Sequence, residues 1–454
     1  MNTMTYEEAW SFLDRLQFHK IKLGLDSMNH FLGVLDNPHQ QVPCVHIGGT
    51  NGKGSVGSTL LSILSEAGYR VGLYTSPHLS SVRERFRIND TFISKGQFAR
   101  QAFKIRDILN GGQITYFEFT TTMAMLWFAE QKIDLALLEV GMGGRLDATN
   151  VVTPLVSAIT NVSMDHEAYL GNTLREIAGE KAGIIKKSIP VVSAAGNDES
   201  REVIMETCAR LNTPLYLHGR DFQSRMVGDG EYGTWLYSGF PIEQQQSEFS
   251  DLPMALSGKH QLANSAVALA VVQLLNNKGF SVKKENIREG LRRVSWPGRL
   301  EAFYRDGEGR ISREKPNITL PFHHYLLDGA HNPAGVEALR DALLSSFGRK
   351  KLILVWAAMG DKNIRDTLAT IAPLAQIIIF TRPESERSAT PEQLRDILPP
   401  EFRDRSVLVD SVREAINRAE SLAGGEDLIC IAGSLYLVGA ARSMLLGEIA
   451  ADEH

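Results

Sequence analysis

Short apolar runs of strand length alternate along most of this chain with longer stretches whose apolar residues recur three or four places apart. The runs at Val42–Ile47, Arg70–Ser76, Ile133–Gly141, Leu155–Val162 and Ile189–Ala195 are of strand length and end in small or polar residues. Ile133–Gly141, "IDLALLEVG", is almost wholly apolar up to Glu139, as a parallel strand covered on both faces should be. Between the first two runs, Val56, Leu60, Leu61 and Leu64 return at helical spacing. This rhythm predicts a parallel sheet with helices on both faces.

The texture changes from Leu211 to about Pro253, where Tyr, Trp, Gly and Gln predominate, and a small antiparallel patch is expected. "HQLANSAVALAVVQLL" then carries apolar residues on nearly every face, so it should be a buried helix. "WPGRLEAF", Trp296–Phe303, has the Pro-Gly punctuation of a domain junction. A second βα series opens at "HYLLDGAHNP" and continues with strands near Leu352–Met359, Gln376–Thr381, Val407–Asp410 and Leu428–Ala432. The expected fold is α/β. An N-terminal P-loop mononucleotide-binding domain with a mainly parallel sheet would occupy residues 1–297, and a smaller C-terminal Rossmann-like α/β domain 298–454.

Composition narrows the class without naming a function. A chain of 454 residues exceeds one ordinary core, and 43% hydrophobic with 22% charged residues is ordinary for a soluble globular protein. A net charge of -5 with a pI near 6.2 gives no electrostatic case for nucleic acid. Cys44, Cys208 and Cys430 lie far apart without metal-ligand spacing and read as reduced thiols. The acidic, amphipathic start "MNTMTYEEAWSFLDRL" is unlike a signal peptide, and no run approaches the roughly 18 apolar residues of a membrane span. A cytoplasmic protein is expected.

The sharpest chemical signal is "HIGGTNGKGSVGSTLLSIL", His46–Leu64. A strand, a glycine-rich turn and a helix start form a cradle for phosphate. Backbone N–H groups point into the turn, the helix dipole favours an anion, and Lys53 adds a point charge. The common pattern is G-x-x-x-x-G-K-S/T, whereas here Gly54 intervenes between Lys53 and Ser55. A tight turn without a ligand is the plain alternative. The strand before, the helix after and the lysine inside favour a mononucleotide.

In parallel sheets ligands gather at the carboxyl ends of strands. Those ends deliver Ser76, Glu139 and Asn161, with Asp165 and His166 shortly after. A hydroxyl, a carboxylate and an imidazole beside a triphosphate suit magnesium, which needs few protein ligands when phosphate oxygens and water complete its shell. Taken singly, Ser76 also reads as a helix cap and His166 as a structural histidine. Glu139 is harder to dismiss, because an unpaired carboxylate closing an apolar strand is costly. Lys181, in "REIAGEKAGIIKK", has no distinguishing spacing and reads as a helix-start or turn lysine. In the second series Asp328, His331 and Asn332 stand at a strand end, with Pro333 suited to open a helix. Gly433-Ser434 repeats the scheme, so a site between the two domains is expected.

The ordered motifs "GGTNGKGS", "YTSPHL", "ERFRIN", "TYFEF", "LLEVGMGGRLDATN", "SMDHEAYLG", "EKAGIIK", "WPGRLE", "LDGAHNP" and "AGSLYL" resemble the folylpolyglutamate synthase/dihydrofolate synthase branch of the Mur ligases, from His46 to Leu437. The resemblance implies an ATP-dependent amide ligase whose C-terminal glutamate ligase domain closes over ATP. Gly52, Lys53, Gly54 and Ser55 would hold the ATP phosphates, Thr50 and Asn51 would also bind ATP, Asn264 would reach the adenine, and Arg299 and Asp328 would meet ATP from the hinge and the second domain. Ser76, Glu139 and His166 would bind one Mg2+, and a carbamylated Lys181 would help bind a second. Phe117, Arg145 and Asp147 would lie near the pterin-bearing substrate, and His331 and Ser434 match positions important for activity. The implied substrates are ATP, L-glutamate and a folate or dihydropteroate, and the family is typically monomeric. Lys22 stands where bifunctional relatives tend to carry an acid that meets the pterin, which counts against dihydropteroate activity. The rival readings are a Mur-type ligase for another carboxylate and a nucleotide switch without turnover. A guanine-reading N-K-x-D is missing, the nearest string being "NNKGF".

Overall fold

The computed structural model describes residues 4–16, 24–227, 234–242, 245–315, 322–347, 351–360, 362–383 and 388–447. The first sheet comprises β1 Cys44–Gly48, β2 Val71–Tyr74, β3 Phe86–Ile88, β4 Thr91–Phe92, β5 Leu135–Glu139, β6 Val156–Ile159, β7 Val191–Ser193 and β8 Leu215–Leu217. Its order is β4-β3-β2-β5-β1-β6-β7-β8, parallel from β2 to β8. Only the β3–β4 edge runs antiparallel. The apolar runs seen in the sequence thus become the parallel strands, each a little shorter than its run.

Register explains why the site forms. Ile47 of β1 lies beside Glu139 of β5, and Gly48 beside Ile159 of β6. Three carboxyl ends are therefore level, and the glycine turn, Glu139 and the segment after β6 emerge at one edge. The helix Lys53–Glu66 follows the turn and packs Leu60, Leu61 and Leu64 against Val267, Val271 and Leu275 of the helix His260–Asn276. Burying each such leucine stabilises the lobe by about 1.5–3 kcal/mol.

The Tyr- and Trp-rich segment forms the expected antiparallel patch of β9 Gln223–Val227, β10 Thr234–Ile242 and β11 Gln245–Leu252. It covers the helix His260–Asn276 with Trp235, Tyr237 and Leu252.

The second sheet contains β12 Glu301–Asp306, β13 Ile311–Ser312, β14 Phe322–Asp328, β15 Leu352–Trp356, β16 Ile377–Phe380, β17 Ser406–Leu408 and β18 Leu428–Ala432. Its order is β13-β12-β14-β18-β15-β16-β17. The part from β14 to β17 is parallel, while β12 and β13 add an antiparallel edge that the sequence pattern did not single out. Asp328 and Trp356 both lie level with Ala432, so the loops after β14, β15 and β18 share one edge. Among the described residues, no helix is long and apolar enough to cross a membrane.

Candidate active site

A cavity of about 490 Å³ lies where the strand ends of the first lobe face those of the second. Thr50, Asn51, Gly52, Lys53, Gly54 and Ser55 line it from the glycine turn, with Ser76, Glu139, His166 and Lys181 from the neighbouring loops. The helix His260–Asn276 contributes Asn264, and Arg299, Asp328 and His331 enter from the second lobe's side.

The glycine turn owes its shape to close approaches. Gly52 has φ +87° at the N-cap of the helix, where a side chain would also meet the Asn264 carboxamide. A Cβ on Gly54 would lie 2.4 Å from Trp296 Cζ2, which accounts for the extra glycine between Lys53 and Ser55. Lys53 Nζ donates to the Gly49 and Thr50 carbonyls at 3.0 Å each, which holds its charge over the turn. The turn is tied to β6 as well, since Asn51 N–H donates to Asn161 Oδ1 at 2.8 Å.

Glu139 is 5% exposed and accepts the Ser76 N–H at 3.2 Å on one oxygen. Burial raises its carboxyl pKa, opposed first by Lys53. Lys181 closes the helix Leu174–Ala182 rather than starting one, and it is 3% exposed. Burial and then Lys53 lower its pKa to about 7. Among the described residues its ammonium nitrogen has no hydrogen-bond or ion-pair partner. A buried lysine that faces a cavity and feels Asp165 and Asp147 only from beyond contact distance is an unusual structure.

His166 adopts φ +54° and lines the cavity beside Asp165. Its imidazole pKa falls to about 4, chiefly through burial, so the ring is neutral near pH 7 with a lone pair to give. His331 Nδ1 donates to the Gly329 carbonyl at 2.8 Å. Burial and then Lys362 lower its pKa to about 4. Asp328 accepts the Leu300 N–H at 2.8 Å and the Ala330 N–H at 2.9 Å, which locks the hinge to the second lobe.

Comparisons with known proteins identify the family. Residues 47–272 match the Mur ligase middle domain and residues 318–435 the Mur ligase, glutamate ligase domain. The dihydrofolate synthase/folylpolyglutamate synthase of Bacillus subtilis is 34% identical over 97% of this chain and 99% of its own. The folylpolyglutamate synthase of Mycobacterium tuberculosis, solved with ADP, is 30% identical over 98% of both chains, with a TM-score of 0.87. The FolC protein of E. coli, solved with DHPP and ADP, is 30% identical over 97% of both chains, with a TM-score of 0.83.

The chain belongs to the folylpolyglutamate synthase/dihydrofolate synthase family of Mur ligases.

In this member of the folylpolyglutamate synthase family, four residues marked from sequence do not line the cavity. Arg145 is ion-paired with Glu180 at 2.7 Å beside the helix that carries Lys181. Phe117 packs so closely against Gly141 that a Cβ there would lie 2.4 Å from the ring. Asp147 is buried, accepting N–H groups of Gly141 and Met142 at 2.9 Å each on one oxygen and Thr149 on the other. Ser434 is buried and caps the helix Leu435–Leu446 by accepting the Tyr436 N–H. Lys22 lies outside the described residues.

Gln261 and His260 are among the lining residues that escaped the sequence reading. Gln261 Nε2 donates to Ser55 Oγ at 3.2 Å while its carbonyl accepts from Asn264 at 2.9 Å, one helical turn along. That i, i+3 spacing was the available signal. His260 lines the cavity beside them. Nothing in its local pattern marks it.

Proposed function

We propose that this chain is an ATP-dependent ligase that adds L-glutamate to folates, releasing ADP and phosphate. The supporting observation is the meeting, in one cavity, of the glycine turn, the buried Glu139 and the unpartnered Lys181 with the second lobe's Asp328 and His331. In this reading Thr50 to Ser55 hold the nucleotide phosphates, with Asn264, Arg299 and Asp328 around the rest of ATP. A two-domain division, 1–297 and 298–454, puts the nucleotide between the domains.

The donor set fits magnesium. Among the described residues no group of three His, Cys, Asp or Glu side chains builds a metal cage, so phosphate oxygens and water would complete the shell of an ion held by Ser76, Glu139 and His166. Lys181 fits a carbamate, because its lowered pKa supplies the free amine that adds to CO2 with loss of a proton. The carbamate would face a second magnesium. When bound, these ions neutralise phosphate charge and polarise the transferred phosphoryl group.

The chain's own groups do the rest. Lys53 stabilises charge on the triphosphate while a substrate carboxylate oxygen attacks the γ-phosphorus and the bond to ADP breaks. The two lobes hold the acyl phosphate away from water until the glutamate amine attacks its carbonyl carbon. The amine loses its proton, the C–O bond to phosphate breaks, and an amide remains. His331 and Ser434 support this second step from the second lobe, and Phe117, Arg145 and Asp147 shape the pterin side through the Gly141–Arg145 loop. The protein acts as a monomer in the cytoplasm, in keeping with three buried, unpaired cysteines.

We extend the substrate range to dihydropteroate, supported by the E. coli relative solved with DHPP. Labelled glutamate offered with ATP and either tetrahydrofolate or dihydropteroate tests both activities. Incorporation onto both acceptors is expected. Incorporation onto tetrahydrofolate alone removes the dihydropteroate activity, and ATP hydrolysis without any acceptor replaces the ligase with an ATPase.

A further inference from the structure

Among the side chains that join the two lobes, Asp165 and Asn332 stand together at the edge of the cavity. Asp165 Oδ1 accepts the His166 N–H at 2.8 Å and Lys362 Nζ at 2.7 Å, and its Oδ2 accepts Asn332 Nδ2 at 3.0 Å. Asp165 and Lys362 side chains are 10% and 12% exposed, so the pair is largely withdrawn from water. Burial alone would raise the Asp165 carboxyl, but His166, Lys362 and Asn332 hold it well below the usual carboxylate range. Asp165 follows β6 of the first lobe, whereas Asn332 follows β14 and Lys362 follows β15 of the second.

The network reaches the phosphate cradle. Asn332 and Asn51 exchange carboxamide hydrogen bonds at 3.1 and 3.3 Å, while Asn332 Oδ1 also accepts the Gly335 N–H as the cap of its helix. On the other side, the Asp165 carboxylate pins the left-handed backbone of His166, a conformation that costs a histidine energy unless its surroundings enforce it. Separating the lobes would remove two of the three donors and leave a shielded carboxylate short of partners. Asp165 itself lines the cavity, so a contact here that opened with the lobes would be felt directly at the site.

We propose that Lys362 and Asn332 form a clasp on Asp165 that completes only when the lobes close, and that the clasp then fixes His166 and Asn51 in their working positions. Asp165 and Lys362 are positioning residues in this scheme, which rests on the ligase reading above. Closing the lobes and assembling the site become one event, so phosphoryl transfer does not start in an open, wet cleft.

The test uses the full chain with Asp165→Asn, Lys362→Met, the double variant and Lys362→Arg. Each is assayed for glutamate ligation, for ADP affinity and melting temperature, and for radius of gyration with a non-hydrolysable ATP analogue and tetrahydrofolate bound. Each single variant should lose kcat by on the order of 100-fold, the effect of a misplaced site. ADP affinity should stay within threefold, and the radius of gyration should rise. The double variant should be no worse than the poorer single one, and Lys362→Arg should recover most of the rate. Losses that multiply in the double variant overturn the clasp. So does a loss confined to Lys362→Met, which would mark Lys362 as a direct substrate ligand. If the unaltered chain does not ligate glutamate, the ligase reading fails, while the change in radius of gyration still decides the clasp.

Discussion

Lys181 shows how far a residue's chemistry depends on its place. In sequence it is one lysine among alanines and glycines, yet the fold leaves it 3% exposed with a pKa lowered to about 7. The free amine predominates above that pH, so ligation that depends on added bicarbonate should rise through pH 7 and level off above it. A bicarbonate effect that weakens over the same range removes the carbamate. Stability has the same origin in the carbamate-free protein. Between pH 7 and 10.5 the unfolded chain binds a proton at this lysine that the folded chain does not, so the burial penalty is full below pH 7 and fades as pH rises. Lys181→Met should therefore raise the melting temperature more at pH 6 than at pH 9, measured without CO2. A gain independent of pH would mean the amine is protonated in the folded state. His166→Ala should raise the magnesium concentration for half-maximal rate by roughly tenfold or more, and an unchanged requirement would defeat its place in the metal shell. Glu139 was legible because an acid ending an apolar strand has few fates. Lys362 was not, since its partner Asp165 lies on a different lobe and no local pattern links them.

At the scale of elements, legibility followed burial on both faces. The parallel strands announced themselves as unbroken apolar runs, and the helix His260–Asn276 as one apolar all round. The strands β3 and β12 mix charged and apolar residues, and β4 and β13 are two-residue pairs of one polar and one apolar residue, so they blended into their surroundings. The glycine turn was readable as a cradle, but the reason for Gly54 was not, because Trp296 arrives from far along the chain. Its ring leaves no room for a Cβ. Gly54→Ala should then destabilise the first lobe by about 1–3 kcal/mol through overpacking and weaken nucleotide binding, read by thermal melts and by Trp fluorescence titration with ADP. Adding Trp296→Leu, which opens the space, should return part of both losses. If the second change deepens the stability loss instead, the contact is not what excludes a side chain at this position.

The molecule as a whole is two cores joined by a polar seam. One group of apolar clusters is built on the first sheet and another on the second, and among the described residues Leu79 is a first-lobe side chain packed into a second-lobe cluster. Hydrogen bonds and the Asp165–Lys362 pair add to the seam, with Ser80 donating to the Gly439 carbonyl at 3.2 Å and Ser443 reaching Ser80 at 2.8 Å. Such contacts exchange with water at small net gain, so they couple the lobes weakly compared with an apolar interface. A nucleotide that touches both lobes adds the missing coupling, by about 2.7 kcal/mol at a hundredfold excess over its Kd. Calorimetry without nucleotide should accordingly show two transitions, one for each core. Saturating magnesium and a non-hydrolysable ATP analogue should raise both and draw them toward one, because neither lobe can then unfold without releasing the ligand. If the nucleotide raised one transition and left the other in place, it would be bound to a single lobe. Lys53 and Asp328 would then belong to separate sites, and the cavity between the lobes would have to serve something other than ATP.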